Sequence, residues 1–242
     1  MFEALLKGLA AKGHDVVVLS HFPQEHPIEN YTDISVKGTL PQLTNSFTLD
    51  YAKNQNWLNL LHFIWDLNVK FCAKVLEHPE VKKIMDSNEK FDLVITESFG
   101  VDCLTAFAHK FNVPQVLVTS SVMMPWADDV FCNPSNPAYI PTFFLPYTDK
   151  MNFQERFINV AMNLIMKFGS YYYSEIPTQK LVRKHFGEDI PSLREISRNF
   201  SLILTNSYFS FNIPRPMVPS VVEVGGIHIG SPKKLPNVCI YL

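Results

Sequence analysis

The chain has 242 residues, 47% of them hydrophobic and 18% charged, with a formal net charge of −2. That balance fits a globular protein with one large core and excludes an intrinsically disordered chain. It also excludes the basic footprint that nucleic-acid binding needs.

The opening reads as a helix, because Phe2, Leu5, Leu6, Leu9 and Ala10 recur at helical spacing. Gly13 follows, where a left-handed residue often ends a helix. The continuous run Val16 to Leu19 then suits a strand buried on both faces. A weaker strand is expected at Ile34 to Val36. From about Phe47 to Met85, Trp57, Leu60, Leu61, Ile64, Trp65, Val69 and Leu76 mark a long helix and a short one, with Pro79 in the first turn of the second.

The strand–helix grammar returns at Phe91 to Thr96 (strand), Asp102 to Phe111 (helix) and Pro114 to Val118 (strand). Residues Asn133 to Pro141 are rich in turn formers and cannot be helical. Phe153 to Tyr173 reads as a helix dense in Phe, Met, Leu and Tyr. Ser201 to Asn206 and Val221 to Val224 close the series as strands before Gly225-Gly226. Strands alternating with helices imply a parallel sheet with helices on both faces, in one domain.

In such sheets ligands sit beyond the carboxyl ends of the strands. The junction from Thr96 to Cys103 is therefore the candidate site. Glu97 follows the strand and Asp102 opens the next helix; either carboxylate suits the task of orienting a histidine base. The plainer alternatives are a helix N-cap for Asp102 and a solvated loop position for Glu97. Apolar side chains of the insertion after the next strand suit a lipophilic pocket: Met124, Trp126 and Phe131, with Phe99 from the junction itself. His21 follows the first strand and is a further candidate to face the crevice.

Several motifs are missing. Neither GxGxxG nor GxxxxGK[ST] occurs, so no dinucleotide or P-loop site is expected, and the lack of GxSxG argues against an α/β-hydrolase. Cys72, Cys103, Cys132 and Cys239 are far apart, with no zinc spacing, and read as isolated buried thiols rather than a disulfide or metal site. Met1 leads into a segment carrying Glu3 and Lys7 where a secretory leader needs apolar residues, and no apolar run of about 18 residues occurs. Taken alone, these features describe a soluble chain. Two sequons, Asn30-Tyr-Thr32 and Asn199-Phe-Ser201, matter only in the secretory pathway.

An ordered set of segments resembles the insect branch of the UDP-glycosyltransferases, in the UDP-glucuronosyltransferase superfamily. They are Phe2 to Pro23; Phe91-Asp-Leu-Val-Ile-Thr-Glu97 with Asp102-Cys103; Asn136-Pro-Ala-Tyr-Ile-Pro141; Met151-Asn-Phe-Gln-Glu-Arg156; and Asn212-Ile-Pro-Arg-Pro216 with Val224-Gly-Gly226. The resemblance implies a Rossmann-like, doubly wound parallel sheet: the N-terminal, acceptor-binding domain of a GT-B glycosyltransferase, with its first strand missing. It places that domain at residues 1–236, a divergent tail at 237–242, and the donor-binding domain outside the chain.

The function implied is transfer of a hexosyl group from a UDP-sugar co-substrate to a hydroxyl of a small lipophilic acceptor, with inversion and without a metal or bound cofactor. The dyad acid falls at Asp102, with Glu97 as the alternative. Its histidine partner lies ahead of the segment matching Phe2, so the chain alone is expected to be inactive. The parent enzyme is expected on the lumenal side of the endoplasmic reticulum membrane, held by an anchor outside this chain. The alternatives are a lipophile-binding or regulatory partner that pairs with a full-length glycosyltransferase, and a non-functional truncated product.

Overall fold

The computed structural model describes residues 1–39, 56–99 and 102–230. The elements follow in chain order: α1 (Phe2–Ala11), β1 (Val16–Ser20), β2 (Tyr31–Ser35), α2 (Trp57–Glu77), α3 (Pro79–Asp86), β3 (Val94–Glu97), a 3-10 turn (Asp102–Leu104), α4 (Thr105–Phe111) and β4 (Gln115–Thr119). The insertion contributes α5 (Pro125–Val130), α6 (Phe153–Ser170), a π turn (Tyr171–Glu175), α7 (Ile176–Phe186) and α8 (Leu193–Ser197). Strands β5 (Phe200–Thr205) and β6 (Val221–Glu223) complete the described fold. Residues 47–55 of the stretch expected to hold the long helix, and Cys239 with the tail, lie outside the described residues.

Every ladder between these strands is parallel. Strands β1 and β2 form one sheet, and β3, β4, β5 and β6 form a second in that order. The chain is α/β and Rossmann-like, as the alternation of strands and helices implied. Strand β4 is central and buried along its whole length, which its unbroken Val-Leu-Val run permits. Strand β2 begins three residues earlier than the Ile34 to Val36 reading, in register with β1 from Val16 opposite Tyr31.

Helix α2 is the spine. Asn56 caps it by accepting a hydrogen bond from Leu58 N–H. One side packs Cys72 and Leu76 against Ala106, Val182, Leu193 and Ile196 of α4, α7 and α8. Another meets Val36, Val81 and Phe107, with Leu19 of β1 alongside. Leu61 and Trp65, nearer its start, join Met124, Met162 and Met166.

The thiols are not isolated. Cys72 and Cys103 form a disulfide with their Cα atoms 5.8 Å apart, and Cys132 is exposed rather than buried. The first pairing is invisible to spacing rules because its partners sit on separate elements, α2 and the 3-10 turn, that only the tertiary fold brings together.

The helix expected through Tyr173 is α6, which an Asn152–Glu155 capping box starts. It continues through the π turn into α7. Pro177 lies in the first turn of α7 and has no N–H to donate; the wider turn before it, in which Ile176 N–H reaches Tyr171 O, absorbs the missing donor. One face of α6 carries exposed Phe153, Phe157, Leu164 and Phe168.

Candidate functional site

Strand β3 ends at Glu97 and the chain turns back as the 3-10 turn at Asp102. This is the carboxyl edge of the parallel sheet, where the fold leaves a crevice. Leu104, not Asp102, occupies the N-cap position of α4, so the Asp102 carboxylate is free for another partner. It receives a hydrogen bond at Oδ2 from Asn68 Nδ2, 2.8 Å away, and Asn68 Oδ1 accepts from the Asp102 backbone N–H at 3.3 Å. Asn68 Nδ2 also lies 2.5 Å from Ser174 Oγ in the π turn.

Asp102 shares a cleft with Ile64, Trp65, Asn68, Phe99, Trp126, Ser170 and Ser174. The carboxylate thus shares its cleft with two indoles and a phenyl ring. The cleft is tight, about 10 Å3, with room for a single water. A lipophile of drug size needs a space of roughly 300 Å3 or more, far more than this cleft holds. Trp65 is held from below: its ring lies on Gly169 of α6, where a Cβ would come within 2.0 Å of the indole, and it stacks on Tyr173 at 5.8 Å.

Burial pushes the Asp102 carboxyl up to about 6, against the pull of the Asn68 hydrogen bond, and Glu175 adds to the rise. Its ionised form is the one that can orient a histidine and stabilise the imidazolium. Glu97 is half-buried at the end of β3 and accepts a 3.4 Å hydrogen bond from Ser120. Burial lifts it to about 7, with Ser120 opposing, so near neutrality it is only part-ionised.

Of the residues singled out from sequence, Phe99, Met124 and Trp126 come together in the cluster around Trp65, Met162 and Met166. Phe131 does not. It packs with Leu117, Met123 and Ile203, because the short helix α5 turns it away from α2. Trp126 touches both groups. His21 bonds Thr39 Oγ1 at 3.1 Å and rests on Phe71 at 5.7 Å; burial lowers its pKa, with His78 assisting.

The residues missed from sequence are Asn68 and Ser174. Asn68 was the readable one: it stands one turn after Ile64 and Trp65 on the apolar face of a helix, and a polar side chain at a core position requires a partner.

A larger cleft, about 340 Å3, lies between Met85, Asp86, His109, Lys110, His185 and Asp189. It opens at the far end of α4, beside the amino ends of the strands, where sheets of this kind do not bind ligands. Among the described residues no three His, Cys, Asp or Glu side chains are placed to hold a metal ion, and no helix is long and apolar enough to cross a membrane.

A parallel α/β fold with a hydrogen-bonded carboxylate beside aromatic rings at its carboxyl edge defines a Rossmann-like domain. The family described as UDP-glucoronosyl and UDP-glucosyl transferase matches residues 3–240, and the chain belongs to that family of glycosyltransferases. It is 38% identical over 97% of its length to UDP-glucosyltransferase 2 of Dactylopius coccus, of which it covers 46%. It is 32% identical to UDP-glycosyltransferase UGT5 of the same insect, again over 97% of this chain and 46% of the relative. A UDP-glucuronosyltransferase of Pleuronectes platessa is 27% identical over 85% of this chain and 43% of its own. The chain thus spans about half the length of these relatives. No solved structure gives a significant match.

Proposed function

We propose that this chain is the acceptor-binding part of a UDP-glycosyltransferase and that Asp102 is the acid of its catalytic dyad. The observation that carries the reading is Asp102 itself: a carboxyl group held by Asn68 in a cleft that it shares with Phe99, Trp65 and Trp126 at the crevice edge. Glu97 lines no part of that cleft, which favours Asp102 of the two.

In the reaction, a histidine from outside residues 1–242 takes the proton of the acceptor hydroxyl while Asp102 stabilises the imidazolium that forms. The acceptor oxygen attacks the anomeric carbon of the UDP-sugar, the bond to the UDP oxygen breaks, UDP leaves with the electron pair, and configuration inverts. The indoles and phenyl ring bind an apolar acceptor and exclude water, so that transfer prevails over hydrolysis.

The acceptor is a small lipophilic alcohol or phenol. The domain runs over residues 1–236 and relies on a donor-binding half to hold the UDP-sugar, so the chain alone does not turn over. The oxidised Cys72–Cys103 pair and the exposure of both sequon asparagines, Asn30 and Asn199, support residence in the endoplasmic reticulum lumen.

Purified chain incubated with radiolabelled UDP-glucose and a naphthol tests the reading. Quenching of indole fluorescence by the naphthol, weakened in Trp126→Phe, with no labelled glucoside, is the expected result. Glucoside formation by the chain alone refutes its dependence on other parts; a complete lack of quenching refutes the acceptor site.

A further inference from the structure

Asn68 is 2% exposed, on the apolar face of α2, an expensive place for a carboxamide unless all its polar atoms are used. They are used on one residue more than any other. Its oxygen accepts from the Asp102 backbone N–H and its nitrogen donates to Asp102 Oδ2. The second hydrogen of the nitrogen is directed to Ser174 Oγ, where the π turn widens the chain after α6. A carboxamide offers both a donor and an acceptor in one rigid plane. The two contacts with Asp102 therefore fix the carboxylate relative to its own backbone.

The same helix is tied to the same turn by a covalent bond. Cys72 is one helical turn beyond Asn68, and Cys103 is the residue after Asp102. The amide–carboxylate clasp and the disulfide thus stand side by side between α2 and the 3-10 turn. The disulfide sets the distance between the two backbones, and the amide sets the direction of the carboxylate. Among the described residues Asp102 Oδ1 has no hydrogen bond, which leaves that oxygen for a partner at the crevice.

We infer that Asn68 is the positioning residue for Asp102: its carboxamide engages Oδ2 and the backbone N–H, and so presents Oδ1 to the catalytic base. The inference rests on the reading of Asp102 as the dyad acid only for its purpose; the clasp itself is a property of this chain. Lysine and arginine take no part in it, and the charged group that bears on Asp102 is Glu175, in the π turn.

The test is carboxyl-carbon and side-chain-amide NMR on the chain, with Asp102 assigned by its loss in Asp102→Asn. In the wild type the Asn68 side-chain amide protons shift with pH along the same curve as the Asp102 carboxyl carbon. In Asn68→Leu, which removes the donor to the ionised form, the Asp102 midpoint rises by about one pH unit.

An Asn68 amide that ignores the titration of Asp102 overturns the inference, and so does a folded Asn68→Leu in which the Asp102 midpoint stays put. Should Asn68→Leu fail to fold, the wild-type amide curve decides alone. The catalytic reading is judged separately. In a glycosyl-transferring polypeptide that contains this chain, Asp102→Asn with unchanged kcat removes the dyad acid and leaves the NMR coupling untouched. There Asn68→Leu is expected to lower kcat by about tenfold or more with KM little changed, the pattern of a group felt only in the transition state.

Discussion

Reducing the Cys72–Cys103 bond separates the effect of a cross-link from the effect of packing. The two half-cystines are 31 residues apart and both are fully buried. Opening a loop of that size returns about 12 cal/mol/K of entropy to the unfolded chain, or about 3.7 kcal/mol at 25 °C in the chain-entropy treatment. The reduced thiols keep nearly the same volume, so the core around Leu76, Ala106 and Val182 loses little.

For 242 residues, an unfolding entropy of roughly 2.1 cal/mol/K per residue converts that loss into a fall in Tm of about 7 °C. The bond is buried, so reduction is done in denaturant and the protein is refolded with reductant present. Urea and thermal unfolding of the oxidised and reduced forms are then compared, with a steeper urea dependence expected for the reduced form because its unfolded chain exposes more surface. Coincident midpoints for the two forms would refute the reasoning, since the cross-link would then restrict nothing that the unfolded chain samples.

Gly169→Ala drives a methyl into the Trp65 ring. A loss of about 1–3 kcal/mol is expected despite alanine's better helix propensity, with a change in indole fluorescence, measured by urea denaturation. Arg215→Ala strips the partner from Asp128, whose side chain is 4% exposed and 2.6 Å from the guanidinium; a loss of about 3–5 kcal/mol is expected, partly recovered by Asp128→Asn in the same chain, as read from chemical denaturation. Glu97 and Asp102 both have folded-state values raised by burial, to about 7 and about 6. The folded protein therefore holds more protons than the unfolded one between their unfolded values and these, and stability falls as pH rises through that window. The decline in urea midpoint from pH 4 to pH 7.5 should be shallower in Glu97→Gln; an unchanged slope would show that Glu97 titrates normally.

How far the sequence spoke depended on the range of each interaction. Strand β4 was legible because a continuous β-branched run needs only its own residues to announce a buried strand. The position of the βα junction at the carboxyl edge was legible because chain order sets it, and Phe99 and Asp102 share the cleft there while Glu97 does not. What failed to show was set by pairings between distant segments. The disulfide joins elements with no spacing rule between them. Trp126 lies on the short helix α5 and Phe131 follows its last residue, and only tertiary packing decides that Trp126 reaches the cluster around Trp65 while Phe131 packs against the sheet. The π turn was hidden because the tyrosine run continues the helical pattern, and Pro177 takes effect only when its missing N–H must be accommodated.

The separation of the strands into two sheets sets where the backbone is least protected. β1 pairs with β2 and β3 with β4, and among the described residues neither β1 nor β3 has a strand on its other side. Yet Val16 to Leu19 and Val94 to Ile95 are sequences of interior strands, without the lysines, prolines or bulges that blunt an edge. Amide deuterium uptake along β1 and β3 should therefore be faster than in β4, against what their hydropathy alone suggests. Any row of N–H and C=O groups left open there can accept a strand from a neighbouring molecule, so the concentration at which the protein is handled becomes a variable of its structure.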